Sequence, residues 1–137
     1  MERIIAGHFD EHGFPYLEIQ VWNKQQDVYL PAKAIIDTGA AHCMIREKLA
    51  LQLGLPELRV ADYRHPVFGT MPLKEYIMDL RFDGNPQSEA PVLEGIRAGT
   101  LIDLNYPAGV IIGVELLKHC SFSYDGFAKT FTLTTSL

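Results

Sequence analysis

Short runs of alternating apolar and polar residues recur along the chain. Within residues 16–22, apolar side chains alternate with Glu18 and Gln20, and residues 76–82 repeat the alternation. A period of two is typical of a strand with one face in a core. A third run, residues 131–133, follows a turn at Asp125-Gly126 and predicts a closing strand.

Two further runs are apolar without interruption. Residues 33–36 lead into Asp37, and residues 110–112 end at Gly113. Strands without a polar face are usually buried on both sides. We therefore expect these two strands to lie in the middle of a sheet.

Helical patterns are short. Residues 46–53 have helical composition and end at Gly54, a normal helix stop, and residues 114–119 could form a second short helix. The remaining chain has the turn spacing of a sandwich or barrel. The predicted fold is all-β, with one or two short helices.

Composition and charge limit the classes of partner that we expect. The 137 residues fit a single domain over 1–137, with 47% hydrophobic and 21% charged residues. The net charge is -5 and the basic residues are scattered, so we expect no nucleic-acid partner. No apolar run nears the roughly 20 residues that span a bilayer, so no membrane association is expected. Without an export signal, a cytoplasmic location is predicted.

One segment, residues 34–41, carries candidate chemistry. An apolar strand delivers the carboxylate of Asp37 to a tight Asp-Thr-Gly turn. Gly39 allows a turn that a side chain would obstruct, and Thr38 has a hydroxyl that can donate and accept hydrogen bonds. The small Ala40 and Ala41 leave space beside the carboxylate. The arrangement suits a carboxylate directed at a water and a substrate, although Asp and Gly are also common at ordinary turns.

This turn and three later segments, in this order along the chain, resemble segments of the retropepsin-like aspartic peptidases. The resemblance is to a cellular rather than a retroviral member of that family. Ile35-Ile36-Asp37-Thr38-Gly39-Ala40 is similar to the catalytic loop, and residues 45–55 are similar to the segment after it. Residues 67–80 are similar to the flap hairpin and the strand that leaves it. Residues 110–117, followed by 122–125, are similar to the hydrophobic-hydrophobic-Gly strand, its helix and the final strands. The resemblance implies a closed retropepsin-like β-barrel with its active site at a homodimer interface.

The resemblance also implies roles for individual residues. Asp37 would be catalytic, with Thr38, Gly39 and Ala40 in the active-site loop. The residues expected near the bound peptide, at the flap or in the substrate pocket, are Ala41, Phe68, Gly69, Thr70 and Ile112. The implied activity is aspartic endopeptidase, acting on peptide or protein substrates.

Catalysis by this route needs two carboxylates, one to accept a proton from water and one to donate a proton to the carbonyl oxygen. No aspartate except Asp37 is followed by Thr-Gly or Ser-Gly. The second carboxylate is therefore expected from Asp37 of a second copy, and two-fold dimers are the commonest oligomers. Neither a metal nor another cofactor is expected, since the pair itself activates the water.

The sequence departs from retroviral members at two positions. Ala41 stands where they usually have an acidic residue, and Val114 stands where they have an arginine that ties the dimer together. An alternative function is therefore a catalytically weak dimerisation or peptide-binding module with the same fold.

Other candidate sites are weaker. His8 and His12 have metal-site spacing, but a turn separates them and no further ligands complete a set, so we interpret both as surface histidines. His42 and Cys43 are adjacent, and neighbouring residues on a strand point apart. We therefore interpret Cys43 as a small buried hydrophobe rather than a nucleophile.

Overall fold

Strands make up most of the chain. A computed structural model describes residues 3–82, 92–101, 105 and 107–135. Its elements are β1 (Arg3–Ala6), β2 (His8–Phe9), β3 (Pro15–Asn23), β4 (Val28–Ile36), β5 (Cys43–Arg46), α1 (Glu47–Gln52), β6 (Glu57–His65), β7 (Gly69–Arg81), β8 (Leu93–Leu101), β9 (Val110–Ile112), α2 (Val114–Leu117), β10 (Cys120–Asp125) and β11 (Thr130–Thr135).

Six of these strands close into a barrel. Their order is β3-β4-β9-β5-β8-β7, and pairing of Val21 with Leu80 joins β7 back to β3. The pairs β4–β9 and β5–β8 are parallel, and the other pairs are antiparallel. The predicted all-β fold, a closed barrel with short helices, is confirmed.

The barrel core follows the alternation in the sequence. Leu17, Ile19 and Val21 of β3 are buried, as are Met78 and Leu80 of β7. The prediction of two central strands is also confirmed, since β9 lies between β4 and β5 in the sheet. This placement sets the end of β4, where Asp37 follows, beside the end of β9.

Both helices are shorter than predicted. Arg46 is the last residue of β5 and keeps an extended backbone, so α1 begins one residue late. It ends before Gly54, whose positive φ of 63° stops the helix. The second helix is a single turn, because β10 already begins at Cys120.

A second sheet, in the order β1-β11-β10, packs beside the barrel. Phe131 and Leu133 of β11 are buried in the common core, which confirms the predicted closing strand. Within the described ranges, no helix has the length and apolar character needed to cross a membrane.

Candidate active site

Backbone hydrogen bonds hold the turn after β4. The Asp37 amide donates to the Ile112 carbonyl oxygen at 3.0 Å, and the Ala40 amide donates to the Asp37 carbonyl oxygen at 3.2 Å. The Gly39 amide donates to Asp37 Oδ1 at 2.9 Å. A side chain at position 39 would bring its Cβ within 3.2 Å of that same oxygen. The turn thus points one carboxylate oxygen at a backbone donor and leaves Asp37 half-buried.

The start of α2 supports the same turn from the other side. The Val114 amide donates to the Ala40 carbonyl oxygen at 2.7 Å, and the Glu115 amide donates to the Ala41 carbonyl oxygen at 3.0 Å. A Cβ at Gly113 would lie 2.3 Å from the His42 carbonyl oxygen, so only glycine allows this approach. The Asp-Thr-Gly turn and the late Val-Ile-Ile-Gly segment, far apart in sequence, therefore form one unit.

A cleft of about 570 Å³ opens beside Asp37. The turn contributes Asp37, Gly39, Ala40 and Ala41 to its lining. Five apolar side chains from the barrel and the β6–β7 hairpin also line it: Met44, Met71, Leu73, Leu101 and Ile111. Asp37 is the only carboxylate among the described residues of this lining. The cleft therefore combines one acidic group with apolar surfaces and with the polar side chains of His42, Tyr63, Arg64 and His65.

The β6–β7 hairpin forms one side of the cleft. Its turn, residues 66–68, contains Phe68, and Gly69 begins β7 with a positive φ of 72° that glycine adopts easily. Phe68, Gly69 and Thr70 are exposed at this tip and do not line the cleft of the single chain. The hairpin residues that line the cleft are instead Tyr63, Arg64, His65 and Pro66 on one side and Met71 and Leu73 on the other.

Ile112 does not lie where the sequence placed it. Its side chain is fully buried in the barrel core, and its neighbour Ile111 lines the cleft instead. Successive residues of a strand point to opposite faces, so only one of the two can face a substrate. The structure thus places Ile111, and not Ile112, at the cleft, and a substrate contact at Ile112 stays a prediction that its burial does not favour.

Thr38 lies on the opposite side of the turn from the cleft. It is exposed and borders a second groove of about 290 Å³ that also reaches Asp37. Phe14, Phe122 and Tyr124 line this groove. Asp37 is thus accessible from two sides, one lined by the hairpin and one lined by aromatic rings.

A buried carboxylate anchors the base of the hairpin. Glu75 on β7 accepts hydrogen bonds from the Tyr63 hydroxyl and from Arg59 Nε, the latter at 2.7 Å. Burial alone would raise the pKa of Glu75, but these two donors outweigh it, so the pKa lies below its ordinary value. Burial and the nearby Glu75 carboxylate raise the pKa of Tyr63, which keeps its hydroxyl protonated as a donor. The two strands are therefore joined by side chains as well as by their ladder.

A second polar contact lies beside the turn. His42 Nδ1 lies 3.0 Å from Glu115 Oε2, and Arg97 lies 3.9 Å from the other oxygen of Glu115. The His42 ring also meets the Tyr63 ring edge-on, with centroids 5.2 Å apart. His42 therefore connects the segment after the Asp-Thr-Gly turn to the hairpin base.

The other candidate residues, two histidines and one cysteine, lie where the sequence predicted ordinary structural roles. His8 and His12 are both exposed, as predicted. Cys43 is fully buried while His42 is exposed, so the two side chains do point apart. Burial raises the pKa of the Cys43 thiol, which makes it a poor nucleophile.

Sequence reasoning missed the hairpin strand β6 and with it Tyr63 and His65. The apolar residues of β6 mislead, because Leu58 and Val60 are exposed. The alternation of Ala61, Tyr63 and His65 was the available signal, since these three are less exposed than their neighbours.

The comparisons with known proteins agree with this architecture. A crystal structure of a retropepsin-like aspartic protease from Rickettsia conorii is similar, with a TM-score of 0.64 and 17% identity. The match covers 98% of this chain and 92% of that one. No protein-family model and no curated protein matches the chain. The fold of this protein is retropepsin-like.

Proposed function

We propose that the protein is an aspartic endopeptidase whose active site forms when two copies bring their Asp37 side chains together. The observation that carries the proposal is the position of Asp37, which a backbone-bonded turn presents to a peptide-sized cleft. The retropepsin-like fold supports the same assignment.

A second carboxylate is the missing component. Among the described residues, the cleft contains no acidic side chain besides Asp37. One carboxylate cannot act at once as the base for water and as the acid for the carbonyl oxygen. A two-fold axis beside the turn would supply the second group from the partner, and two carboxylates held close together share one proton.

The proposed reaction then needs only this pair and a water. The ionised Asp37 takes a proton from the water as its oxygen attacks the peptide carbonyl carbon. The protonated Asp37 of the partner gives its proton to the carbonyl oxygen, which leaves a tetrahedral diol. Asp37, now protonated, gives its proton to the nitrogen as the C–N bond breaks, while the partner's Asp37 takes a proton from a hydroxyl of the diol. A free acid and a free amine result, and the pair again shares one proton.

The aromatic groove on the Thr38 side supports a dimer contact in this place. Phe14 and Tyr124 are about half exposed in the single chain, at 47% and 51%. Exposed apolar surface of this kind often marks a protein contact. A second copy seated here would cover both rings and would bring its own turn beside Asp37.

Cleavage of a mixed peptide library tests the proposal, with the Asp37→Asn variant as the decisive comparison. We expect wild-type protein to cleave and Asp37→Asn to lose at least about 1000-fold in kcat/KM, because the residue supplies both acid and base. Asp62→Asn is the matched control, since Asp62 is exposed on β6. Absence of cleavage by a stable wild-type dimer would favour the peptide-binding module.

Subunit mixing tests whether the site is shared. Addition of an equal amount of Asp37→Asn protein to a fixed amount of wild type should lower the cleavage rate to about half, because half of the wild-type chains then pair with an inactive partner. A rate that does not change on mixing would contradict the shared site.

A further inference from the structure

The tip of the β6–β7 hairpin is closed by a histidine. His65 is the last residue of β6, and its Nδ1 accepts hydrogen bonds from the Val67 and Phe68 amides, at 3.1 and 3.2 Å. Its ring also packs on the Phe68 ring, with centroids 4.8 Å apart. An atom that accepts two N–H groups carries no proton itself, so the neutral ring holds its hydrogen on Nε2.

Two other hairpins use the same device with a different side chain. In the β10–β11 turn, Asp125 Oδ1 accepts from the amides of Phe127 and Ala128, both at 3.0 Å, which are the same sequence offsets as at His65. In the β2–β3 turn, Asp10 Oδ1 accepts two amides at 2.9 Å. Aspartate is a common acceptor in such turns. The hairpin beside the cleft is the one of these three in which an imidazole takes the place of the carboxylate.

Histidine in place of aspartate changes how the turn responds to acid. A carboxylate stays ionised, and so remains an acceptor, well below neutral pH. Histidine is the side chain that gains a proton between about pH 8 and pH 5. A protonated imidazole has donors on both nitrogens and no acceptor, so an Nδ1 proton would face the two amides that now point at this atom.

We propose that His65 is a positioning residue that shapes the flap tip only while its ring is neutral, so that uptake of one proton releases the turn. The effect on peptide cleavage rests on the proposed function and on contact between this tip and the bound peptide. The released turn would no longer hold Phe68 and Gly69 in their positions at the hairpin tip. Substrate binding would then weaken as the solution becomes more acidic.

Among the described residues, His65 shares its cleft with four other ionisable groups. The ionisable groups that line the same cleft are Asp37 and His42 from the loop after β4, and Tyr63 and Arg64 from β6. The other elements that line it contribute apolar residues: Met44, Met71, Leu73, Leu101 and Ile111. Among the described residues, none forms an ion pair with His65 within 4.0 Å.

Nuclear magnetic resonance and hydrogen exchange test the turn without any need for activity. At about pH 7.5 the ring nitrogen shifts of His65 should identify Nδ1 as unprotonated and Nε2 as protonated. Exchange protection of the Val67 and Phe68 amides, measured relative to Phe127 and Ala128 in the same sample, should fall about tenfold between pH 7.5 and pH 5.5. A proton on Nδ1 at the higher pH, or a constant protection ratio, would overturn the proposal.

Two variants distinguish the effect of the hydrogen-bond acceptor at position 65 from the effect of its protonation. His65→Asn offers an amide oxygen that can accept the same bonds and does not titrate, so its protection ratio should stay constant across this range. His65→Leu has no acceptor and should show low protection at both pH values. His119→Asn removes an exposed histidine elsewhere and should behave as wild type. A pH dependence in His65→Asn equal to that of wild type would count against His65 as its source.

Cleavage kinetics extend the test to function. In wild type, KM should rise several-fold more on acidification than it does in His65→Asn, with a smaller difference in kcat. A protein that shows the exchange behaviour but no cleavage would refute the endopeptidase while the role of His65 in the turn stands. Cleavage with identical KM profiles for both proteins would refute the link to substrate binding.

Discussion

The Asp-Thr-Gly turn and the hairpin that faces it are held in different ways. Around Asp37, the bonds run mainly between backbone groups, from Ile112, Ala40 and the start of α2. The hairpin adds side-chain bonds to its ladder, through Glu75 at its base and His65 at its tip. Backbone amides do not titrate, whereas side-chain donors and acceptors can gain or lose a proton. The turn is therefore held mainly by bonds that do not depend on pH, and the hairpin in part by bonds that can.

The largest loss of stability is expected at Gly113, which lies against backbone carbonyl oxygens of the turn. A methyl group there would overlap the His42 and Ala40 carbonyl oxygens, so Gly113→Ala should lower the free energy of unfolding by about 3 kcal/mol and abolish activity. Urea denaturation measures the first effect and peptide cleavage the second. Gly126→Ala is the control, because its added Cβ makes only an ordinary contact with Tyr124, and a change below about 0.5 kcal/mol is expected. Equal stability of the two variants would contradict the close backbone contact at Gly113.

The next effect is expected at the base of the hairpin, from Glu75→Gln. Loss of the charge weakens the bonds from Tyr63 and Arg59, and the free energy of unfolding should fall by about 1.5 kcal/mol near neutral pH. The folded-state pKa of Glu75 lies below its unfolded value, so this contribution is present above the unfolded pKa and disappears as the pH falls through the folded one. Urea titrations at neutral and acidic pH should therefore give a difference between wild type and variant that shrinks on acidification. A difference that grows as the pH falls would contradict the ion-paired carboxylate.

A smaller loss of stability is expected from Gly99→Ala, which separates the two kinds of restraint. Its Cβ would lie 2.7 Å from the Tyr63 ring, a side chain that can shift, rather than against backbone. We expect a stability loss of about 1 kcal/mol, together with a rise in KM because the hairpin moves with Tyr63. Thermal unfolding and steady-state kinetics measure the two quantities. A loss of stability as large as that of Gly113→Ala would show that the hairpin base is as rigid as the turn.

The smallest effect on stability is expected at the exposed tip, from Phe68→Ser. The Phe68 side chain is 65% exposed, so unfolding should change by less than about 0.5 kcal/mol, while KM for peptide should rise if the tip closes over the substrate. Phe127→Ser is the matched control at the tip of the β10–β11 hairpin, where the aromatic ring is fully exposed. An equal KM for both variants would argue against a substrate contact at Phe68.

Much of the barrel could be predicted because its signals are local. The alternation in β3 and β7 depends only on which face of each strand meets the core, and the apolar runs of β4 and β9 need burial on both faces. The strand β6 could not be predicted in this way. Leu58 and Val60 are exposed while Glu75 of the paired strand is buried, so its hydrophobic pattern opposes its environment.

The sequence alone determined the chemistry available to this protein: one Asp-Thr-Gly turn after an apolar strand, and a glycine after a second one. Those features follow from residue type and short spacing, which a reader can see along the chain. Tertiary structure decided which groups meet: Gly113 against His42, Tyr63 against Glu75, and Ile111 rather than Ile112 at the cleft. Such contacts depend on how distant strands register and on which face each side chain takes, and neither is encoded by spacing alone.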